Sequence, residues 1–170
     1  MNPISSVVFV LLLTVFPTQI LCQTTLIEEA CGYTIYKVLC LETLVPDSEA
    51  HSAKDLKTLA KVSLKHTENQ ATDIDNKIIE LINSAAGDVK PVLSNCSDKY
   101  LTVVEKIQAA ESYFAYGDVD GAKTWLKEAT VNRDRCDEGF KGKPFKSPIS
   151  DMTTKLSQMQ NNAESIIAHM

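Results

Sequence analysis

Cys96 and Cys136 flank one turn, "YGDVDG", at nearly equal distances along the chain. Cys96 stands 19 residues before Ala115 (115 − 96), and Cys136 stands 18 residues after Asp118 (136 − 118). Both lie on apolar stripes of helical period. Before the turn the stripe runs Val92/Leu93, Cys96, Tyr100, Val103/Val104, Ile107, Ala110, Phe114. After it the stripe runs Ala122, Trp125/Leu126, Ala129, Arg133, Cys136, Phe140. At about 1.5 Å of rise per residue, two antiparallel helices bring these sulfurs opposite each other. A Cys96–Cys136 bond follows, and with it the register of the two helices.

The bond requires an oxidising compartment. The chain opens "MNPISSVVFVLLLTVFPTQILCQTT", in which residues 7–16 are apolar apart from Thr14. This run is too short to span a bilayer and reads as the core of a secretory signal peptide. The expected cut falls between Cys22 and Gln23, although Ile20 is large for its position and no Lys or Arg precedes the run. A lipoprotein anchor at Cys22 fits poorly, because Leu21 stands where a small residue is needed. Cys31, Cys40, Cys96 and Cys136 remain, an even set that reads as two disulfides in a secreted chain. With Cys96 and Cys136 assigned, Cys31 and Cys40 pair by elimination.

Two further long stripes are present. From Asp55 to Ile82 the repeat is Leu56, Leu59/Ala60, Ser63, Thr67, Ala71, Ile74, Ile78, Leu81/Ile82, polar in its middle. Asp47 or Ser52 is expected to cap this helix, and Gly87 to end it. Asp88 suits the cap of the next helix, and Pro91 its first turn. The last helix carries Met152, Leu156, Met159, Ala163, Ile166/Ile167 and Met170, after a loop "GKPFKSP". No segment alternates with period two. The expectation is an all-α fold, an up-down-up-down four-helix bundle with two disulfides, preceded by a helical piece over residues 26–44.

Catalytic and metal signatures are missing. There is no C-x-x-C, and His51, His66 and His169 are isolated, so neither zinc nor thiol redox chemistry is expected. No G-x-S-x-G or Gly-rich phosphate loop occurs. The chain is therefore not expected to be an enzyme or to carry a cofactor. "GDVDG" begins like a calcium loop, but its fifth and twelfth positions are Ala122 and Ala129. Asp118 and Asp120 read instead as helix-capping residues. Asn95-Cys96-Ser97 is a formal glycosylation sequon whose middle residue is a half-cystine, which restricts access. The net charge of −5 (17 basic, 22 acidic) argues against nucleic acid and anionic membranes. After the signal peptide no stretch is long enough to cross a membrane.

A series of motifs carries a family resemblance: "LIEEACGYTIYKVLCLETLVPDSEAHSAKDLKTLA", "NCSDKYLTVVEKIQAA", "YGDVDGAKTWLKEA", "RCDEGFKGKPFKSPI" and the apolar helical tail. A C-x8-C segment, a helix opened by Asp-Leu, an N-C-x3-Y and a C-[DE]-[DE]-x-F at a helix end follow in that order. Over residues 25–170 the chain resembles the plant invertase/pectin methylesterase inhibitor family. The resemblance implies a four-helix bundle behind an N-terminal helical hairpin, with the first Cys bonded to the second and the third to the fourth. The expected division is then 1–22 signal peptide and 23–170 inhibitor domain, with the hairpin at 23–50 and the bundle at 51–170.

It also implies a function: a secreted proteinaceous inhibitor, acting in the apoplast or cell wall. One branch of the family covers the substrate cleft of pectin methylesterase. The other blocks cell-wall or vacuolar acid invertase. In some invertase inhibitors a Pro-Lys-Phe motif follows the Gly-Asp turn. Here Val119-Asp120-Gly121 stand at that place, and Lys143-Pro144-Phe145 has another order in a later loop. Pectin methylesterase is therefore the expected partner, and acid invertase the alternative. Ser63, Thr67 and Gln70, in the polar middle of the first long stripe, suit either internal packing or an exposed groove. Together with the helix from Asp118 to Phe140, notably Asp118, Val119, Asp120 and Thr130, they are the expected enzyme contacts. An acidic inhibitor would also be steered to a basic target. A different class, a bundle carrying a lipid in an apolar cavity, is a third reading. The hairpin either packs on its own bundle, giving a monomer, or swaps into a partner to give a dimer.

Overall fold

The structure, a computed structural model, describes residues 25–170. The expected signal peptide and its cut lie outside the described residues. Within them the chain forms seven helices and no strand: α1 (25–32), α2 (Lys37–Leu44), α3 (Ser48–Ser52), α4 (Leu56–Ser84), α5 (Val89–Ala115), α6 (Val119–Phe140) and α7 (Ser150–Ala168).

Local chemistry sets most of the ends. The Asp55 carboxylate accepts from the Thr58 backbone N–H at 2.8 Å and from its hydroxyl at 2.7 Å, so α4 starts there. Asp47 caps the short α3 instead of α4, accepting from Ala50 N–H at 2.8 Å. Ser52 lies inside α3, so neither residue expected to cap the long helix does so. Asp88 occupies the cap position of α5, but its side chain makes no capping bond. Asp118 caps α6 through Gly121 N–H at 2.8 Å. The α5–α6 turn closes tightly because Gly117 adopts φ +84°, open to glycine at little cost.

The four long helices form a ring, α4 beside α5, α5 beside α6, and α7 back against α4. The α5–α6 pair has the most extensive contact, and α6 and α7 meet over only a few residues. The Cys96–Cys136 bond, with Cα atoms 4.7 Å apart, joins α5 to α6 at the end remote from their turn, which makes them antiparallel. The apolar stripes read from the sequence point inward. Leu59, Ile74, Ile78, Leu93, Ile107, Leu126, Leu156 and Ile166 are all at most 1% exposed.

The N-terminal hairpin rests on this bundle. Cys31–Cys40, with Cα atoms 5.5 Å apart, closes α1 onto α2. α2 packs on α4 and α7 of the same chain. Asn162 of α7 donates from Nδ2 to the Tyr36 carbonyl at 3.1 Å, and the Tyr33 ring stacks on His169 with centroids 4.2 Å apart. α3 is tied to α4 through Asp47 and His66 Nε2, 2.8 Å apart. Burial alone would raise the Asp47 pKa, but hydrogen bonds from the Ala50 backbone and His66 outweigh it and hold the carboxyl low. Asp47→Ala removes the α3 cap and this tie together. It should lower the unfolding free energy by about 1 kcal/mol, read from urea denaturation near neutral pH.

One carboxyl is poorly placed. Glu111 of α5 is half-buried, its Oε1 has no hydrogen-bond partner, and its pKa is pushed up to about 7. Burial is the main cause, followed by the neighbouring Glu68, while Lys65 and Lys61 oppose both. Glu68 itself accepts from Gln108 Nε2 at 2.6 Å.

Candidate inhibitory surface

The structure separates the seven residues expected to contact a partner. Ser63 and Thr67 are 6% and 0% exposed, and the Thr67 hydroxyl donates to the Ser63 carbonyl at 2.8 Å. A hydroxyl satisfied on its own helix, as that of Thr67 is, packs inside the bundle at little cost, and at this burial the two residues offer almost no surface to a partner. Gln70 is half-buried in a groove of about 320 Å³ between α2, α4 and α7, beside His66, Asp73 and Lys155. Asp118 and Asp120 are exposed at the start of α6, with Val119 partly covered. Thr130 stands further along α6, its hydroxyl donating to the Leu126 carbonyl at 3.2 Å.

Asp118, Val119 and Asp120 belong to an aromatic patch at the α5–α6 turn. Tyr113 and Trp125 bridge the two helices with ring centroids 6.0 Å apart and planes tilted by 54°. Lys106 Nζ lies 4.2 Å from the Trp125 ring centroid, a cation–π contact. Gly121 makes room for Tyr113: a Cβ there would come within 2.4 Å of Tyr113 Cδ1 and 2.6 Å of Asp118 Oδ2. Tyr116 is 91% exposed at the turn. Exposed tyrosines on a rigid support are what protein interfaces favour, because they bring large contact area at small entropic cost.

Thr130 belongs to a second feature, a polar groove between α6 and α7. It has two adjoining lobes of about 220 and 200 Å³, both bordered by Tyr36, Arg133 and Ser157. Its floor is a fixed network. Arg133, 8% exposed, donates from Nη2 to Asp134 Oδ1 at 2.9 Å and from Nη1 to Gln160 Oε1 at 3.4 Å. Gln160 donates from Nε2 to the Thr130 hydroxyl at 2.8 Å and to the Leu126 carbonyl. Asp137 and Glu164 flank Arg133, and burial raises both their pKa values against its pull.

The three histidines are dispersed: His66 on Asp47, His51 on the Val45 carbonyl, His169 on Tyr33 and the Ser165 carbonyl. His66 and His51 thus tie the α3 region rather than standing free. Among the described residues no group of three or more His, Cys, Asp and Glu side chains is close enough to hold a metal ion. No described helix is long and apolar enough to cross a membrane. Asn95 is exposed on α5, one residue from the buried Cys96. Phe145 of "KPF" is not free to insert elsewhere; it packs edge-on against Phe140, centroids 6.3 Å apart.

The sequence reading missed the patch aromatics and all of the groove outside Thr130. Tyr113, Tyr116 and Trp125, three aromatics around one turn, were a usable signal. The pairing of Arg133 with Gln160, 27 residues away in a helix of another phase, was not.

Comparison with known proteins agrees with this architecture. The sequence model of the plant invertase/pectin methylesterase inhibitor family matches residues 25–166, and the chain belongs to that family. Two solved structures are similar in fold. A mutant form of a pectin methylesterase inhibitor from Arabidopsis is 21% identical, with a TM-score of 0.70, covering 82% of this chain and 93% of its own. A pectin methylesterase inhibitor from Arabidopsis thaliana is also 21% identical, with a TM-score of 0.63, covering 84% of this chain and 93% of its own. No curated protein matches the chain.

Proposed function

We propose that this protein is a secreted inhibitor of pectin methylesterase that docks through α6 and covers the enzyme's substrate cleft. The observation that carries the reading is the pair of exposed tyrosines Tyr113 and Tyr116, with Tyr113 backed by the partly buried Trp125, on a helix pair that a disulfide clamps. Clamping lowers the entropy lost on association, so an aromatic face on α5–α6 can convert contact area into affinity. Membership of the inhibitor family supports the role. Acid invertase is the second reading. It is less favoured because Val119, Asp120 and Gly121 form the first turn of a helix rather than a Pro-Lys-Phe loop. The cysteine bonds and the apolar leader support release into the cell wall space.

Titrating purified protein, residues 23–170, against pectin methylesterase and against acid invertase tests the target. Loss of esterase activity alone supports the reading, and loss of invertase activity alone overturns it. Tyr116→Ala removes a ring that is 91% exposed, so its melting temperature should not change. Its inhibition of the esterase should weaken about tenfold, the loss of one interface aromatic anchor.

A further inference from the structure

The α6–α7 groove holds more hydrogen-bond acceptors than its own chain satisfies. Three of the five Arg133 N–H groups and the Gln160 amide are committed internally. Arg133 gives Nε and Nη2 to Asp134 Oδ1, at 3.1 and 2.9 Å, and Nη1 to Gln160. The Gln160 amide gives to Leu126 and Thr130. The Thr153 and Thr154 hydroxyls both give to the Ser150 carbonyl, at 3.0 and 2.8 Å.

The acceptors are not matched. Asn161 Oδ1, in the wall of one lobe, is buried without a partner. Asp137 and Glu164, one in each lobe, take part in no ion pair among the described residues, and the one side-chain hydrogen bond acting on either is that of Thr153 on Asp137. The cation acting most on both is Arg133, already engaged by Asp134; Lys141 and Lys123 act more weakly, one on each. Buried acceptors left unpaired are costly, so a ligand that brings donors gains here.

We propose that the groove seats one basic side chain, an arginine or lysine, of the enzyme that this protein inhibits. The proposal rests on the inhibitor reading and adds the chemistry of the partner. Guanidinium and ammonium groups are donors only, and arginine's five N–H groups fit a wall of carboxylates and amide oxygens. Each lobe, at about 200–220 Å³, has room for one long side chain. The Tyr36 ring borders both lobes and offers a face for cation–π contact. Next to it Ile35 and Val38, 79% and 70% exposed, form an apolar rim suited to a protein surface rather than a free ion. The chain's net charge of −5 steers a basic partner to it.

The test compares wild type with Asp137→Asn/Glu164→Gln, measuring inhibition of pectin methylesterase and of acid invertase across a range of salt. The double variant should bind whichever enzyme is the target about tenfold more weakly, with a flatter dependence on salt. Its melting temperature should hold or rise, since two half-buried carboxyls are neutralised. Ser157→Arg, which supplies a guanidinium from the groove's own wall, should weaken inhibition to a similar degree while leaving both carboxylates in place. If wild type inhibits and both variants inhibit within about twofold of it, this inference fails and the inhibitor reading stands. If wild type inhibits neither enzyme, both fall. If spermidine, a free polyamine, binds the groove more tightly than the enzyme does, the commitment to a protein side chain is overturned.

Discussion

Replacing both Cys96 and Cys136 by alanine should lower the unfolding free energy by about 4 kcal/mol, the loop-entropy value for a closed loop of this length. The bond spans 40 residues and joins the far ends of α5 and α6, so its loss frees the largest loop in the molecule. The Cys31–Cys40 bond spans 9 residues, and its removal should cost less, about 2.5 kcal/mol on the same model. Urea denaturation of the two double variants measures both. The order of the effects is the discriminating result. A larger loss from the short loop would mean that the hairpin, and not the α5–α6 pair, is the main constraint on the unfolded chain. A loss below about 1 kcal/mol at Cys96/Cys136 would mean that the unfolded state keeps these helices together without the bond.

Glu111→Gln should make the protein more stable at pH 8 and leave it nearly unchanged at pH 4. The Glu111 pKa in the folded chain, about 7, lies above its ordinary value of 4.5. The folded state thus binds this proton more tightly than the unfolded state does. Its contribution to stability is complete below about pH 4.5 and is lost as the pH climbs through 7. A shift of that size corresponds to at most about 3 kcal/mol, and solvent screening at a half-exposed site reduces it to about 2 kcal/mol. Glutamine cannot ionise, so the variant escapes the loss. Urea midpoints at pH 4 and pH 8 give the answer directly: equal gains at both would show that charge is not the cause.

The fold was largely legible because two independent signals agreed. The stripe through Leu93, Cys96, Tyr100, Val103, Ile107, Ala110 and Phe114 is fully buried, residue for residue. The distances of the cysteines from the turn fixed the α5–α6 register, and the bond is there. Helix starts were read less well. Asp47 and Asp55 are both good capping residues eight positions apart, and periodicity alone does not reveal that a one-turn helix, α3, lies between them. The surface was legible only in part. A polar residue on an apolar stripe is either satisfied inside or exposed in a groove, and Thr67 was resolved only by its bond to the Ser63 carbonyl. Asp118, Val119 and Asp120 do lie on the outer surface, but the rings that give that region its character come from both helices. The groove beside Thr130 depends on side chains of α7 and the hairpin, which no local pattern joins to α6.

The thin contact between α6 and α7 bears on the order in which the molecule assembles. α5 and α6 meet across a three-residue turn, so their contacts are local in sequence and cost little chain entropy to form. α7 must instead find α4, some 90 residues upstream, and it gains little from α6 on the way. Among the four long helices it is therefore the one expected to dock last, and to show weaker amide-exchange protection than α5 and α6. The hairpin, gripping α7 through Tyr36 and Asn162, acts as its latch.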